Sequence, residues 1–195
     1  MRYEAASMRT RRALAESLKK LMRQKPFSKI TVTEIVADCG VNRKTFYYHF
    51  EDIYALLRWI FEEEADKIMH EFDLLEQPEE AMGYVLDYVS ENREMLSSAC
   101  AAFGSVEIEN FFLAGFTGMT NTVVLQSEEK MGRVLPDRLR DYLCKFLAEA
   151  VCGMLMSLIN GMEPLERQRM IDYSTLIIRT AIRGLISDRG VPAGT

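Results

Sequence analysis

Apolar residues recur at intervals of three and four along almost the whole chain, and this spacing constrains the fold more than any other feature of the sequence. It places them on one face of an α-helix, whereas a half-buried strand would need alternation at every second residue. No alternating stretch of useful length occurs. The pattern therefore predicts an all-α chain, and 195 residues suffice for one large domain or for a small one joined to a larger one.

Prolines, glycines and small polar residues predict where these helices begin and end. A helix starts where a side-chain oxygen accepts from the free backbone N–H groups of its first turn, and it ends near a proline or a left-handed glycine. The predicted boundaries in the first part of the chain are a first helix over 8–24 stopped by Pro26, a second capped by Thr33 and ended by Gly40, a third over 43–49 capped by Asn42, and a fourth capped by Asp52.

Two long helices are predicted near the end of the chain, over 137–160 and 165–186, with Gly161 and Pro164 in the turn between them. Their apolar stripes are wide enough to face both their own domain and a second copy of the chain. The residues predicted to meet that second copy are Phe146, Ala150, Met154, Ile178 and Ile182. Before this hairpin, the glycines within 97–136 predict one broken helix or two short ones.

Positive charge is concentrated at one end of the chain, although the net charge of the whole is −5. Residues 1–50 hold eleven Lys and Arg against four Asp and Glu, while the remaining residues hold 13 bases and 25 acids. A basic segment attached to an acidic body is the distribution expected when one part of a protein meets DNA and the rest does not. We therefore expect residues 1–50 to form a DNA-binding domain and residues 51–195 to form a separate helical body.

The segment NRKTFYYHF at 42–50 brings basic, aromatic and hydrogen-bonding side chains together directly after a glycine turn. Two short helices joined by such a turn, after a longer amphipathic helix, have the layout of a helix-turn-helix, whose second helix enters the DNA major groove. Phe46 and Phe50 are spaced to build a small core. The side chains left outside suit phosphate oxygens and base edges, and they are Arg43, Lys44, Thr45, Tyr47, Tyr48 and His49.

The stretch TVTEIVADCGVNRKTFYYHFEDIYALL resembles the DNA-binding head of the TetR family of bacterial transcription regulators, in which TFYYHF after a glycine turn is a specific signature. The resemblance covers roughly residues 8–60. It implies a homodimer that binds a pseudo-palindromic double-stranded DNA operator, with an all-helical C-terminal domain that holds a small-molecule inducer and dimerises through its last two helices. A repressor is favoured over an activator on family grounds.

The same resemblance implies roles for individual residues. By position, Thr33 caps the second helix and touches a phosphate, Arg43 and Lys44 lie at or near bases, and the residues that contact the DNA backbone are Asn42, Thr45, Tyr47, Tyr48 and His49. Lys44 stands where a small residue is common in the family, so the base preference of other members does not transfer. Ile53 stands where many members have a lysine, which removes one phosphate contact, and a basic leader is the candidate replacement (Arg2, Arg9, Arg11 and Arg12).

A weaker resemblance links the sections KPFSKITVTEI and YALLRWIF to the branch that contains regulators of dihydroxyacetone kinases. Candidates for an inducer pocket are mainly aromatic, and for them two alternatives stand: they line an apolar pocket, or they fill the core. A lone histidine near the end of the fourth helix contacts an inducer or lies on the surface. These candidates are His70, Tyr84, Tyr88, Phe103, Phe112, Phe116 and Met119.

Other functional classes find less support. With two histidines, no CxxC pair and no phosphate loop of the GxxxxGK type, we expect neither an enzyme nor a metal or other cofactor. The cysteines are predicted to be buried thiols in a cytoplasmic protein, with a redox switch at Cys144 and Cys152 as the alternative. The most apolar run, 150–159, is shorter than the roughly 20 residues of a membrane span, so no membrane partner is expected. A helical dimer that binds a protein partner stays an alternative to a DNA-binding regulator.

Overall fold

The computed structural model describes residues 2–162 and 165–193, and these are almost entirely helical. The helices are α1 (Arg2–Met22), α2 (Val32–Cys39), α3 (Arg43–His49), α4 (Ile53–Glu71), α5 (Pro78–Glu91), α6 (Arg93–Phe103), α7 (Ser105–Met131), α8 (Asp137–Ile159) and α9 (Arg167–Arg189). A short 3-10 helix, Phe27–Lys29, follows α1. Two-residue strands, β1 (Arg133–Val134) and β2 (Val191–Pro192), pair antiparallel. The all-α prediction is confirmed.

The chain divides into two compact units, and the first comprises Met1–Ala65 and Glu94–Ser105. Side chains from α1, α2, α3 and α4 form its core, among them Leu14, Leu18, Ile35, Phe46 and Leu56. The buried Ser17 hydroxyl donates to the carbonyl of Ile35 at 3.1 Å, which ties α1 to α2. The Phe27 N–H donates to the Ser98 hydroxyl at 2.9 Å, so α6 is fastened to this unit although it lies far along the sequence.

The second unit comprises Asp66–Arg93 and Val106–Thr195. The predictions of helices over 137–160 and 165–186 are confirmed within a few residues by α8 and α9. Gly161 follows α8 with φ +84°, a value that favours glycine, while Pro164 lies outside the described residues. One buried cluster joins α7, α8 and α9 and consists of Val124, Leu135, Leu143, Cys144, Leu147, Ile182 and Ile186.

The prediction of a broken helix or two short helices within 97–136 is confirmed for the break, which lies at Gly104, and wrong for the length of the second helix. α7 runs for 27 residues and includes Gly115 and Gly118, whereas Gly104, with φ +90°, separates it from α6. A glycine inside a helix costs only about 1 kcal/mol relative to alanine. Burial of α7 residues such as Ile108 and Val124, 3% and 0% exposed, outweighs this cost.

A buried ion pair holds the junction between α7 and α8. The Glu128 carboxylate accepts from the backbone N–H of Leu135 at 2.6 Å and from Arg140 Nε at 3.1 Å. Arg140 also donates to the carbonyl of Leu135 at 3.2 Å and to Asp137 at 3.0 Å. These bonds satisfy both charges inside the fold, which a buried ion pair requires.

By length and composition, α8 could cross a membrane, since one 18-residue window has a mean hydropathy of 1.6. Half of that window is buried inside the molecule. The buried side chains include Leu143, Leu147 and Leu155, which belong to the core. One face of α8 therefore packs in the core of the second unit.

The cysteines are free thiols, of which Cys39 is half-buried and Cys100, Cys144 and Cys152 are buried. Burial raises the pKa of Cys144 and raises that of Cys152 to about 11. The thiolate is the reactive form. At neutral pH these thiols are therefore protonated, which favours the buried-thiol interpretation over a redox switch.

Candidate DNA-binding surface and effector cavity

The cap of α2 is Thr31, and the prediction that Thr33 caps this helix was wrong. The Thr31 hydroxyl oxygen accepts from the Glu34 N–H at 3.4 Å, and the Glu34 carboxylate accepts from the Thr31 N–H at 3.0 Å. This reciprocal pair is a capping box, and its T-x-x-E spacing was visible in the sequence. Thr33 instead lies exposed within the first turn of α2.

The turn between α2 and α3 has the predicted chemistry. Gly40 ends α2 in the left-handed conformation, with φ +69° and ψ +26°, which a residue with a Cβ adopts at a cost. The Asn42 side-chain oxygen accepts from the backbone N–H of Thr45 at 2.8 Å and from its hydroxyl at 3.1 Å. The predictions that Gly40 ends α2 and that Asn42 caps α3 are confirmed.

α3 presents one apolar side to the core and an aromatic, basic side to solvent. Phe46 is fully buried and Phe50 nearly so, and their rings lie 6.1 Å apart. On the other side Tyr47 is 50% exposed and Tyr48 is 66% exposed. Because tyrosines this exposed add little to a core, their position favours contact with a partner.

Two cations stand at the first turn of α3. Arg43 donates to the Tyr47 hydroxyl at 3.5 Å, and its guanidinium carbon lies 6.0 Å from the centroid of the Tyr47 ring. Such a contact limits the conformations of the arginine without neutralising its charge. Lys44 is exposed and forms no ion pair with any described residue. The surface thus offers two positive charges, without an ion pair among the described residues, beside two phenol groups.

Thr45 and His49 are half-buried, so they contribute less open surface than their neighbours on α3. Burial, followed by the charge of Arg11, lowers the pKa of His49. Both effects favour the neutral form of the imidazole. The Thr45 hydroxyl already donates to Asn42, which leaves its lone pairs for other partners.

The basic leader is partly engaged within the first unit. Arg12 pairs with Glu63 at 3.5 Å, and the Arg11 guanidinium lies 5.9 Å from the centroid of the Phe50 ring. The side chain of Arg2 lies outside the described part of the chain. Arg9 is exposed and has no ion pair with a described residue, so it is the leader residue best placed to meet an added anion.

The second unit contains a cavity of about 120 Å³ with mostly apolar walls. Of the predicted pocket residues, Phe116 and Met119 on α7 line it. Sequence reasoning missed the lining residues contributed by α4, α5 and α9, among them Ile68, Met82, Val85, Ile178 and Arg183. The periodic α9 stripe indicated burial, but it did not distinguish a cavity wall from a filled core.

The other pocket candidates do not line this cavity. His70 is exposed, and its Nδ1 lies 2.7 Å from the carbonyl oxygen of Asp66, one turn earlier in α4. Tyr84 accepts a hydrogen bond from Lys67 Nζ at 3.0 Å, so its hydroxyl is engaged at the helix surface. Tyr88 and Phe112 are half-buried and absent from the cavity wall, and the side chain of Phe103 lies outside the described residues.

The predicted contacts with a second copy separate into surface and core. Phe146 is 56% exposed and Ala150 is exposed, while Met154 and Ile178 are half-buried. The prediction is corrected at Ile182, which is 1% exposed and packs inside its own unit. The large apolar side chains exposed on α8 and α9, here called the apolar patch, are Tyr142, Phe146, Tyr173, Leu176 and Ile177.

A capped α2, a left-handed glycine turn and an α3 with exposed bases and tyrosines define a helix-turn-helix DNA-binding protein. Within the described part of the chain, no group of three or more His, Cys, Asp and Glu residues is placed to hold a metal ion. Residues 14–60 match the family model for bacterial regulatory proteins of the tetR family. Together with the geometry of α2 and α3, this match identifies a DNA-binding regulator with a TetR-type helix-turn-helix.

The similarity to known transcription regulators extends beyond residues 14–60. The HTH-type dhaKLM operon transcriptional activator DhaS of Lactococcus lactis subsp. lactis (strain IL1403) is 25% identical over 156 residues, covering 80% of this chain and 82% of the relative. The solved dihydroxyacetone kinase operon activator DhaS superposes with a TM-score of 0.71 at 22% identity, covering 93% of this chain and 98% of that one. The crystal structure of a TetR transcriptional regulator from Streptococcus agalactiae 2603V superposes with a TM-score of 0.57 at 19% identity, covering 91% of this chain and 98% of that one. The likeness to the dihydroxyacetone-kinase branch is confirmed.

Proposed function

We propose that this chain is a cytoplasmic, non-catalytic regulator that binds a pseudo-palindromic operator as a homodimer and responds to a small-molecule effector. Residues 1–50 bind DNA, and residues 51–195 dimerise and hold the effector. The observation that carries the proposal is α3, because Arg43, Lys44, Tyr47 and Tyr48 are all exposed there and neither cation forms an ion pair with a described residue.

The side chains of α3 match the two kinds of contact that DNA requires. Arginine and lysine at the front of the helix suit the acceptor edge of guanine in the major groove. Phenol hydroxyls and the exposed Thr33 suit phosphate oxygens, which receive half to two-thirds of protein–DNA hydrogen bonds. Arg43 and Lys44 would set the sequence preference, while Tyr47 and Tyr48 would set the register.

Salt dependence separates DNA from a protein as the partner of α3. Fluorescence anisotropy of a labelled random-sequence duplex measures the association constant at several salt concentrations. Release of counterions predicts a linear fall of log K with log salt, with a slope of about −0.9 per phosphate contacted. A salt-independent or undetectable affinity in the low-salt range would favour the alternative of a protein partner.

Dimerisation would cover the apolar patch. A group of large apolar side chains at this exposure, such as Phe146 and Ile177, is typical of an interface. A two-fold dimer can place two α3 helices about one DNA turn apart, roughly 34–36 Å. Sedimentation equilibrium tests this: Ile177→Glu is expected to give monomers, whereas Val106→Glu, a control at an exposed apolar residue on α7, should leave dimers. Dimers in both variants would contradict the proposed interface.

Effector control would act by a shift between conformations. An effector that binds more tightly to a conformation with a different spacing of the two α3 helices lowers operator affinity by its difference in affinity for the two states. α4 contributes residues to both units, so it is the proposed link between cavity and DNA-binding residues.

We propose repression as the first possibility and activation as the second, and activation is supported by the two DhaS relatives, both of which are operon activators. In vitro transcription distinguishes them once an operator is known. A repressor lowers transcript yield when the operator overlaps the promoter. An activator raises yield when the operator lies upstream, in its natural position.

A further inference from the structure

We propose that the cavity of the second unit binds a small apolar monocarboxylate, with the hydrocarbon body inside and the carboxylate on Arg183. The inference deepens the effector control proposed above, on which its regulatory meaning rests, because it names the chemical class of the effector. Four features of the cavity support it: the volume, the apolar wall, the state of the wall hydroxyls, and the charge at the rim.

The volume and the wall select a compact hydrocarbon. The cavity measures about 120 Å³, and its wall includes Leu75, Met82, Val85, Phe116 and Met119. An engineered apolar cavity of roughly 150 Å³ is dry and holds benzene. The space therefore suits a body of about six or seven carbon atoms by the same comparison. Burial of that body provides the non-directional part of the affinity.

The polar side chains inside the wall have no proton to offer a ligand. The hydroxyls of Thr120, Ser127 and Thr175 donate to the backbone carbonyl four residues earlier, at 2.8, 2.7 and 2.9 Å. Toward the cavity they present lone pairs only. A carboxylate placed among them would find no donor, and an unpaired buried charge is strongly unfavourable. The anionic end must therefore lie elsewhere.

Among the described residues, the rim supplies one cation without an ion pair. Arg179 and Arg183 both line the cavity and lie one turn apart on the exposed edge of α9. Arg179 is paired with Glu79 on α5 at 2.5 Å, whereas Arg183 forms no ion pair with a described residue. One free guanidinium binds one carboxylate through two parallel hydrogen bonds. A dianion such as a phosphate ester would leave a charge without a partner.

α9 explains why the two ends of the ligand are separated. Thr175, Ile178 and Ile182 line the cavity together with the two arginines, at the i, i+3, i+4, i+7 and i+8 positions of one face. Thr175 and Ile182 are buried, while Arg179 and Arg183 are exposed. The face thus runs from an apolar interior to a charged rim, which orients an amphiphilic ligand.

Methionine methyl NMR tests the inference on the full chain without DNA. The protein is labelled with ¹³C at the methionine methyl groups and titrated with benzoate, benzyl alcohol or benzylamine, which share a ring and differ in charge. Met82 and Met119 line the cavity, whereas Met22 and Met95 lie in the first unit and serve as internal references. We expect benzoate to shift the Met82 and Met119 signals at the lowest concentration, benzyl alcohol at a higher one, and benzylamine not at all.

Two variants locate the carboxylate. Arg183→Gln should weaken benzoate binding by about tenfold or more, the loss expected for a charge-assisted hydrogen-bonded contact, and leave benzyl alcohol unchanged. Arg169→Gln removes an exposed cation from the same helix away from the cavity wall and should change neither affinity. Equal affinities for benzoate and benzyl alcohol, or benzoate affinity unchanged in Arg183→Gln, would overturn the inference. So would the absence of any Met82 or Met119 shift at millimolar benzoate.

Failure of this inference is distinguishable from failure of the proposed function. The same preparation is assayed for salt-sensitive duplex binding by anisotropy. If the duplex binds in a salt-sensitive way but benzoate shifts neither the Met82 nor the Met119 signal, the monocarboxylate inference is rejected and the proposed DNA-binding function stands. Carboxylate binding at Met82 and Met119 without any duplex binding supports the ligand class and rejects the operator proposal.

Discussion

The two units position their functional side chains in opposite ways. In the first unit, the residues facing solvent on α3 come from one short stretch and are oriented by contacts three or four residues apart, such as Asn42 to Thr45. In the second unit, the cavity collects side chains from Ile68 to Arg183 through packing of distant helices. Substitutions on α3 should therefore change binding without changing stability. Changes in the second unit's framework should unfold it.

The largest expected effect lies in the second unit, at the buried pair of Glu128 and Arg140. Arg140→Gln leaves the Glu128 carboxylate buried without its cation, and removal of one partner of such a pair costs about 3–5 kcal/mol. Chemical denaturation measures the free energy of unfolding. Arg138→Gln, an exposed neighbour, should change it by less than about 0.5 kcal/mol. Similar losses in both variants would contradict the role given to the pair.

The second prediction concerns α3. Under the proposed function, Lys44→Ala and Tyr48→Ala should each weaken operator binding by about 1–3 kcal/mol, roughly tenfold to a hundredfold, the usual cost of losing a direct contact with DNA. Unfolding free energies should stay within about 0.5 kcal/mol of wild type, since both side chains are exposed. Lys29→Ala removes the same charge outside α3 and serves as the control for affinity. Unchanged operator affinity in both α3 variants would contradict the assignment of α3 as the recognition helix.

A smaller effect tests the capping box. Thr31→Ala should lower the free energy of unfolding by about 0.5–2 kcal/mol, the usual cost of losing an N-cap. Thr33→Ala removes a hydroxyl two residues later that caps nothing, so stability should not change. If Thr33 touches a phosphate, its variant should instead weaken DNA binding. A larger stability loss in Thr33→Ala than in Thr31→Ala would reverse this account.

The smallest effect is a pH dependence. A hydrogen bond from Lys25, and then those from Thr31, lower the pKa of Glu34 from 4.5 to about 2. A carboxyl with a lowered pKa stabilises the folded state above its unfolded pKa and loses that contribution as pH falls through its folded pKa. The melting temperature of Glu34→Gln should therefore fall less than that of the wild-type protein as the pH is lowered from 4.5 to about 2. If the melting temperatures of the two proteins fall in parallel with pH, Glu34 does not contribute to the pH dependence of stability.

The same contrast explains what the sequence could predict. Gly40, Asn42 and the TFYYHF segment act through neighbours a few residues away, so the turn, the cap of α3 and the exposed face of α3 could be predicted from the sequence. The error at Thr33 came from overlooking a local T-x-x-E spacing. In the second unit, Ile182 was assigned wrongly because an apolar residue on a helix stripe can face a core, a cavity or a partner. Only the packing of α5, α7 and α9 decides among these.

In vitro selection of the purified chain on random double-stranded DNA, with sequencing of the bound pool at two salt concentrations, tests the central claim most directly. A dimer that presents two α3 helices about one DNA turn apart predicts enrichment of an inverted repeat whose half-sites are separated accordingly, weaker at the higher salt concentration. A folded, dimeric protein that enriches no sequence at either concentration would contradict the account.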